Sequence, residues 1–165
     1  ADMLPLVTAQ SVAAAQYFGK LPYIDADRMA IWGWSYGGFM ALNCLTYGNE
    51  TFKAGISIAP VTDWRLYNTA YTERFMSTPQ ENDLGYEQSD LITKAHLLKG
   101  KLLLCHGTAD DNVHFQHAML YCDALVEAGI QFEMQIYPNK NHSILGAKTR
   151  YHLYTRFNTF LKNNL

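Results

Sequence analysis

The chain of 165 residues is 48% hydrophobic and 17% charged, enough apolar material for one globular domain with its own core and too much for a disordered segment. A formal net charge of −2, with the basic residues scattered, excludes a nucleic-acid groove and a polybasic membrane patch. No apolar run reaches bilayer length and no charged-then-apolar leader opens the chain, while the three cysteines, Cys44, Cys105 and Cys122, lack the spacing of a disulfide framework and read as buried thiols.

In chain order, an Ala-rich stretch over 7–18 predicts a helix that Gly19 and Pro22 end. Residues 28–34 predict a strand, 36–47 a helix closed near Gly48, and 53–59 a second apolar strand stopped by Pro60. The segment 61–98 is rich in aromatic and polar residues and reads as an insertion with short helices over 65–76 and 91–98. A third strand follows over 101–106, then a helix over 114–127 ended at Gly129, a fourth strand over 132–137 and an amphipathic helix over 149–161. Strands separated by helices predict the α/β class, a mostly parallel sheet flanked by helices with its chemistry at the strand carboxyl ends.

At the end of the first strand stands Gly33-Trp-Ser-Tyr-Gly-Gly38, a Gly-x-Ser-x-Gly pattern that reads as a nucleophile elbow. Gly33 and Gly37 are expected to permit a tight strand-to-helix turn that lifts Ser35 to the strand tip, facing the amides of the next helix. On such a scaffold the partners follow in the order acid, then histidine. The loop after the third strand, Gly107-Thr-Ala-Asp-Asp-Asn112, offers Asp110, and the loop after the fourth, Pro138-Asn-Lys-Asn-His142, offers His142. Each has a plainer reading: Asp110 could cap the helix that opens near His114, and a loop histidine is often only surface. His96, His106, His114, His117 and His152 lack a comparable strand-end placement relative to a nucleophile. His114 and His117 share a helical face, but no cysteine or carboxylate set stands at ligand spacing, so neither a metal nor another cofactor is expected. A nucleophilic cysteine is the sharper alternative for the thiols, yet none lies on an exposed turn near a base.

Three stretches, Gly33-Trp-Ser-Tyr-Gly-Gly38, Tyr71-Thr-Glu-Arg-Phe-Met76 and His106-Gly-Thr-Ala-Asp-Asp-Asn-Val-His-Phe-Gln116, together with Asn141-His142 and the last helix, give a resemblance that runs over nearly the whole chain. It resembles the catalytic domain of the dipeptidyl peptidase IV and fibroblast activation protein branch of the prolyl oligopeptidase family. The resemblance implies an α/β-hydrolase fold of which residues 1–165 form a single, partial domain carrying the second half of the sheet. It implies a serine exopeptidase that releases N-terminal dipeptides with proline, or less well alanine, in second place. Ser35 is then the nucleophile, Asp110 the orienting acid and His142 the base, and the Tyr36 amide enters the oxyanion hole. Val61, Trp64, Tyr67, Tyr71 and Val113, with the ring of Tyr36, match the family's proline pocket, and Asn112 matches the residue that binds the carbonyl of the substrate's first residue. Trp64, Tyr67 and Tyr71 at i, i+3, i+7 would share one face of a single helix, a stripe that more often packs a core than lines a site.

The partner so implied is a peptide, with neither nucleic acid nor membrane contact from this chain, and the resemblance allows a homodimer through 151–165. Opening on Ala1, the chain reads as processed or excised; the family's second oxyanion donor, an upstream tyrosine, and the β-propeller with its amine-binding glutamate pair are expected to be absent from it. Positions matching a vertebrate disulfide hold Ala54 and Asn164, which points to a bacterial-type homologue in the periplasm, outside the cell or in its envelope. The nucleophile strand is expected to lack its inner neighbour. Two other readings stay open: an acylaminoacyl- or oligopeptidase of the same clan, and a non-catalytic interaction protein that keeps the fold.

Overall fold

The computed structural model describes residues 3–48 and 50–165. Four strands, β1 (Ala30–Trp34), β2 (Ala54–Ile58), β3 (Lys101–Gly107) and β4 (Glu133–Tyr137), form one sheet in the order β1-β2-β3-β4 with every pairing parallel. Six helices accompany it: α1 (Met3–Phe18), α2 (Tyr36–Tyr47), α3 (Thr69–Met76), α4 (Asp83–Ser89), α5 (Gln116–Glu127) and α6 (Ala147–Asn164). The predicted class and the four predicted strands hold. The central strands β2 and β3 are buried almost throughout, as a parallel sheet covered on both faces requires.

Alternation along those strands divides the core in two. Leu102 joins Phe39, Leu42 and Leu45 of α2 and Tyr121 and Leu125 of α5 on one face. Ala54, Ile56, Ile58, Leu103 and Cys105 meet Leu153, Phe157 and Phe160 of α6 on the other. The strand tips are thus held between two packed layers, and the loops that leave them share one end of the sheet.

β1 pairs with β2 alone, and among the described residues no strand lies on its other side. Trp32, at its middle, is 58% exposed. β1 thus lacks an inner neighbour among the described residues, as expected, and such an unpaired apolar edge is a template for strand addition.

The insertion differs from its sequence reading. In place of one helix over 65–76, a 3-10 turn (Trp64–Leu66) and α3 are separated by an extended Tyr67. Two side-chain caps cause the break: Asp63 accepts from the Arg65 amide and Asn68 from the Tyr71 amide, so each short helix has its own start. The helix predicted over 91–98 shrinks to a 3-10 turn (Ala95–Leu97), because Asp90 turns its carboxylate onto the amides of Ile92 and Thr93. α4, unforeseen, is fixed by its buried Tyr86, whose hydroxyl donates to the Ser77 carbonyl at 2.8 Å.

Candidate active site

Ser35 sits between β1 and α2 with φ 59° and ψ −118°, a backbone shape that a non-glycine residue adopts only when its surroundings impose it. Three features impose it. The Ser35 amide donates to the Ile58 carbonyl at 2.8 Å, the Ser57 hydroxyl donates to the Gly38 carbonyl at 2.9 Å, and Gly33 lies directly against the backbone of Gly37. Of the two glycines expected to permit the turn, only Gly33 is needed for space. A Cβ at Gly37 would meet nothing within 4 Å, and the left-handed residue is the serine itself. Ser35 is half-buried and its side chain makes no capping bond to the helix it opens. The first intrahelical bond at this end of α2 is Phe39 N–H to the Ser35 carbonyl, which leaves the amides of Tyr36, Gly37 and Gly38 without helical partners.

Asp110 is buried at the end of β3, and its two oxygens have separate duties. Oδ1 accepts from the amides of Asn112 and Val113, both at 3.0 Å. Oδ2 lies 2.8 Å from Nδ1 of His142. One oxygen thus caps a turn and the other holds an imidazole, although the capped turn precedes α5 rather than opening it. Neighbouring Asp111 is exposed.

A second imidazole shares Oδ2. His106, fully buried on β3, has Nε2 at 3.2 Å from Asp110 Oδ2 and 2.8 Å from the Val113 carbonyl. A carbonyl only accepts, so Nε2 carries the proton, and Nδ1 is buried with no hydrogen-bond partner among the described residues. Sequence reasoning set His106 aside as lacking strand-end placement. What could have found it is its parity: four residues before Asp110, at the last pleat of an apolar strand, a histidine must either turn inward to a partner or break the core. Burial works against ionisation of Asp110, but hydrogen bonds from His106, His142 and the Asn112 amide outweigh it and hold the carboxyl well below the usual carboxylate range.

His142 is tied to β1 through its backbone: the indole Nε1 of Trp34 donates to the His142 carbonyl at 2.9 Å. No direct bond joins the Ser35 hydroxyl to the His142 ring among the described residues, and in ligand-free enzymes that hydrogen bond is often loose and tightens only when a substrate is bound.

The predicted pocket residues also gather. Trp64, nearly buried, stacks on Tyr71 with centroids 5.9 Å apart and meets Tyr67 edge-on at 5.8 Å. Its other sides meet Tyr36 at 6.0 Å and Phe39 at 5.2 Å. The rings converge across the break at Tyr67 rather than along one helix face, which corrects the expected stripe. Tyr67 donates its hydroxyl to Asn112 Oδ1 at 2.7 Å, which joins the aromatic group to the Asp110 turn. Val61 and Val113 are buried beside them in the same core cluster.

Of the other titratable groups, His114 is exposed, and His117 is buried with Nδ1 accepting from the Thr62 amide at 3.1 Å. Desolvation, with the nearby His106, pushes the His117 ring down to about 4, so it is neutral at pH 7. Burial pushes the thiols of Cys44 and Cys122 up to about 11 and that of Cys105 to about 12, which makes each a poor nucleophile. Among the described residues no helix is long and apolar enough to cross a membrane.

The prolyl oligopeptidase family pattern matches residues 7–165. The probable dipeptidyl-aminopeptidase B of Aspergillus oryzae is 44% identical over 155 residues, 92% of this chain and 17% of that protein. Its counterpart in Metarhizium robertsii is 44% identical over 166 residues, covering 98% of this chain and 18% of its own length. The crystal structure of Porphyromonas gingivalis dipeptidyl peptidase 4 superposes with a TM-score of 0.93 at 57% identity, over 96% of this chain and 22% of that one. The chain thus spans under a quarter of the length of these relatives. Its sheet, its helices and its sequence agree with theirs, and it belongs to the dipeptidyl peptidase IV branch of the prolyl oligopeptidase family, with an α/β-hydrolase fold.

Proposed function

We propose that the protein carrying this chain is a serine peptidase that removes N-terminal dipeptides with proline or alanine in second place, with Ser35, Asp110 and His142 as its triad. One observation carries the reading: an ionised, buried Asp110 grips His142 Nδ1 at 2.8 Å while the backbone of His142 is bonded to the residue preceding Ser35. With Nδ1–H donated to the carboxylate, Nε2 is left as the acceptor that a general base needs.

In the proposed cycle the Ser35 hydroxyl gives its proton to His142 Nε2 as Oγ attacks the carbonyl of the dipeptide's second residue. Asp110 stabilises the imidazolium by charge and keeps the ring oriented. The oxyanion takes a hydrogen bond from the Tyr36 amide, one of the free donors at the start of α2. His142 then returns the proton to the departing amine, and water, deprotonated by the same ring, hydrolyses the acyl-enzyme. A pyrrolidine ring brings apolar area and no N–H, which suits the walls of Trp64, Tyr67 and Tyr71 beside Val61 and Val113. The Asn112 side chain, its oxygen held by Tyr67, has its amide hydrogens available for the substrate's first carbonyl. Recognition of the free amino end belongs to a glutamate pair in a propeller, and a second oxyanion donor to an upstream tyrosine, both expected outside these residues.

The relatives' names, dipeptidyl-aminopeptidase B and dipeptidyl peptidase 4, favour this end preference over an acylaminoacyl-peptidase. The experiment treats the full-length protein carrying this chain with a fluorophosphonate probe and maps the adduct, and then compares Gly-Pro with acetyl-Ala chromogenic substrates. Labelling at Ser35 and loss of turnover in a folded Ser35→Ala variant are expected. Labelling elsewhere, or undiminished turnover in that variant, refutes the triad; faster cleavage of acetyl-Ala refutes the end preference.

A further inference from the structure

The loop that carries His142 presents three consecutive backbone carbonyls, those of His142, Ser143 and Ile144, and two side chains from outside the loop take all three. Trp34, the last residue of β1, donates its indole N–H to the His142 carbonyl at 2.9 Å. Arg150, in the first turn of α6, donates from one terminal nitrogen to the Ser143 carbonyl at 2.6 Å and from Nε to the Ile144 carbonyl at 3.2 Å. The same guanidinium lies over the Trp34 ring, 4.8 Å from its centroid, within the range of a cation–π interaction. The two donors therefore brace each other as well as the loop.

The backbone they hold needs bracing. Ile144 has φ 47°, in the left-handed region that a β-branched residue avoids, and its side chain is fully buried against the α6 face of the sheet. Such a conformation persists where the surroundings over-determine it. Within the loop, among the described residues, two bonds oppose its relaxation, from the amides of Ser143 and Ile144 to the side chain and carbonyl of Asn141. Asp110 hydrogen-bonds the His142 ring and, among the described residues, no atom of its main chain.

We propose that Trp34 and Arg150 act as a paired clamp that positions His142 against Ser35. Trp34 is covalently next to Ser35, so one residue fixes both the strand tip bearing the nucleophile and the carbonyl of the base. Arg150 keeps the following two peptides from swinging the imidazole away. Neither side chain is assigned contact with substrate, and the clamp rests on the triad reading above.

The guanidinium is suited to the task by shape: a planar fork donates along its edge to two carbonyls while its face stays on the indole, which a lysine ammonium cannot do. Shifts of about 1 Å in a catalytic group cost on the order of 10²-fold in rate. In the full-length protein, Arg150→Ala is expected to lower kcat on a Gly-Pro substrate by about that factor, with KM nearly unchanged because the pocket rings are untouched. Millimolar ethylguanidinium should restore a measurable part of kcat, and ethylammonium should not. Trp34→Phe, which keeps an aromatic face for Arg150 and removes the N–H, should lower kcat by about 10-fold in the same way.

Unchanged kcat in Arg150→Ala, a loss that lies in KM, or equal rescue by the two cations overturns the clamp. Should Arg150→Ala not fold, Arg150→Lys decides: kcat equal to the parent's overturns the proposal, and a loss at unchanged KM supports it. Fluorophosphonate labelling separates the two levels of inference. No adduct at Ser35 in the unsubstituted protein removes the triad, whereas an adduct that forms as fast in the Arg150 variants removes only the clamp.

Discussion

Gly33 and Gly37 flank Ser35 symmetrically in sequence, yet the structure predicts opposite outcomes for Gly33→Ala and Gly37→Ala. A Cβ at Gly33 would lie 2.8 Å from the α-carbon of Gly37 and closer still to its carbonyl carbon and oxygen. Restoring ordinary van der Waals separation from these three atoms parts β1 from α2 by roughly 1 Å or more. That movement is resisted by the Ser35 amide bond to Ile58 at 2.8 Å and the Ser57 hydroxyl bond to Gly38 at 2.9 Å. The cost of such overpacking is about 1–3 kcal/mol. The same shift, delivered to Ser35, slows its chemistry by on the order of 10²-fold. At Gly37 there is open space, and alanine in a helix is favoured over glycine by up to about 1 kcal/mol, so Gly37→Ala should leave stability level or raised. Denaturant midpoints and fluorophosphonate labelling rates of the two variants in the full-length protein measure both effects. Normal stability and labelling in Gly33→Ala, or equal destabilisation of the pair, would refute the account of the elbow.

Asp110→Asn should lower kcat by on the order of 10⁴, as in the trypsin-type triad that serves as the reference case, while exposed Asp111→Asn changes it little; the reverse ranking in steady-state kinetics moves the acid to Asp111. Tyr67→Phe removes the 2.7 Å bond to Asn112 but keeps the ring, so a loss of about 0.5–1.5 kcal/mol should fall mainly on KM for a Gly-Pro substrate, and an unchanged KM denies Asn112 its role. His117 is held at about 4 in the folded state against an ordinary value of about 6.5, so the unfolded chain binds more protons between those limits. Its contribution is complete above about pH 6.5 and is lost as pH falls toward about 4. His117→Asn, which keeps an acceptor for the Thr62 amide, should flatten urea stability across that window, and an unaltered slope refutes the assignment.

The parallel sheet was legible because its evidence is one-dimensional: continuous apolar runs at 101–106, alternation at 132–137 and punctuation by Gly48, Pro60 and Gly129. α2 came out with its predicted bounds for the same reason. The insertion was less legible, since its short helices are bounded by single caps, Asp63 and Asn68 at starts and Asp90 at an end, whose choice between capping and continuing a helix depends on where Trp64, Tyr86 and Leu91 can be buried. The positions of Ser35, Asp110 and His142 at strand tips could be read from order alone. His106 needed its strand parity as well as its order, and its partner, the Asp110 carboxylate, is met only once β3 and its loop are folded.

That hydrogen bond bears on how the site holds together. A carboxylate as buried as Asp110 is costly unless its oxygens are filled, and here four donors fill them: two amides on Oδ1 and two imidazoles on Oδ2. Both amides, and the carbonyl that receives the rest of His106, come from Asn112 and Val113. The residues that offset the cost of the buried carboxylate are therefore two of those proposed to meet the substrate, and Tyr67 extends the chain of bonds to the aromatic rings. A substrate that presses on Asn112 or Val113 pushes on the support of Asp110, and through it on His142. Pocket substitutions at 112 and 113 should consequently disturb kcat along with KM, whereas changes at Tyr71, which touches the rings and not the turn, should act on KM alone. Matching losses in kcat at both places would show that the turn and the pocket are not coupled in this way.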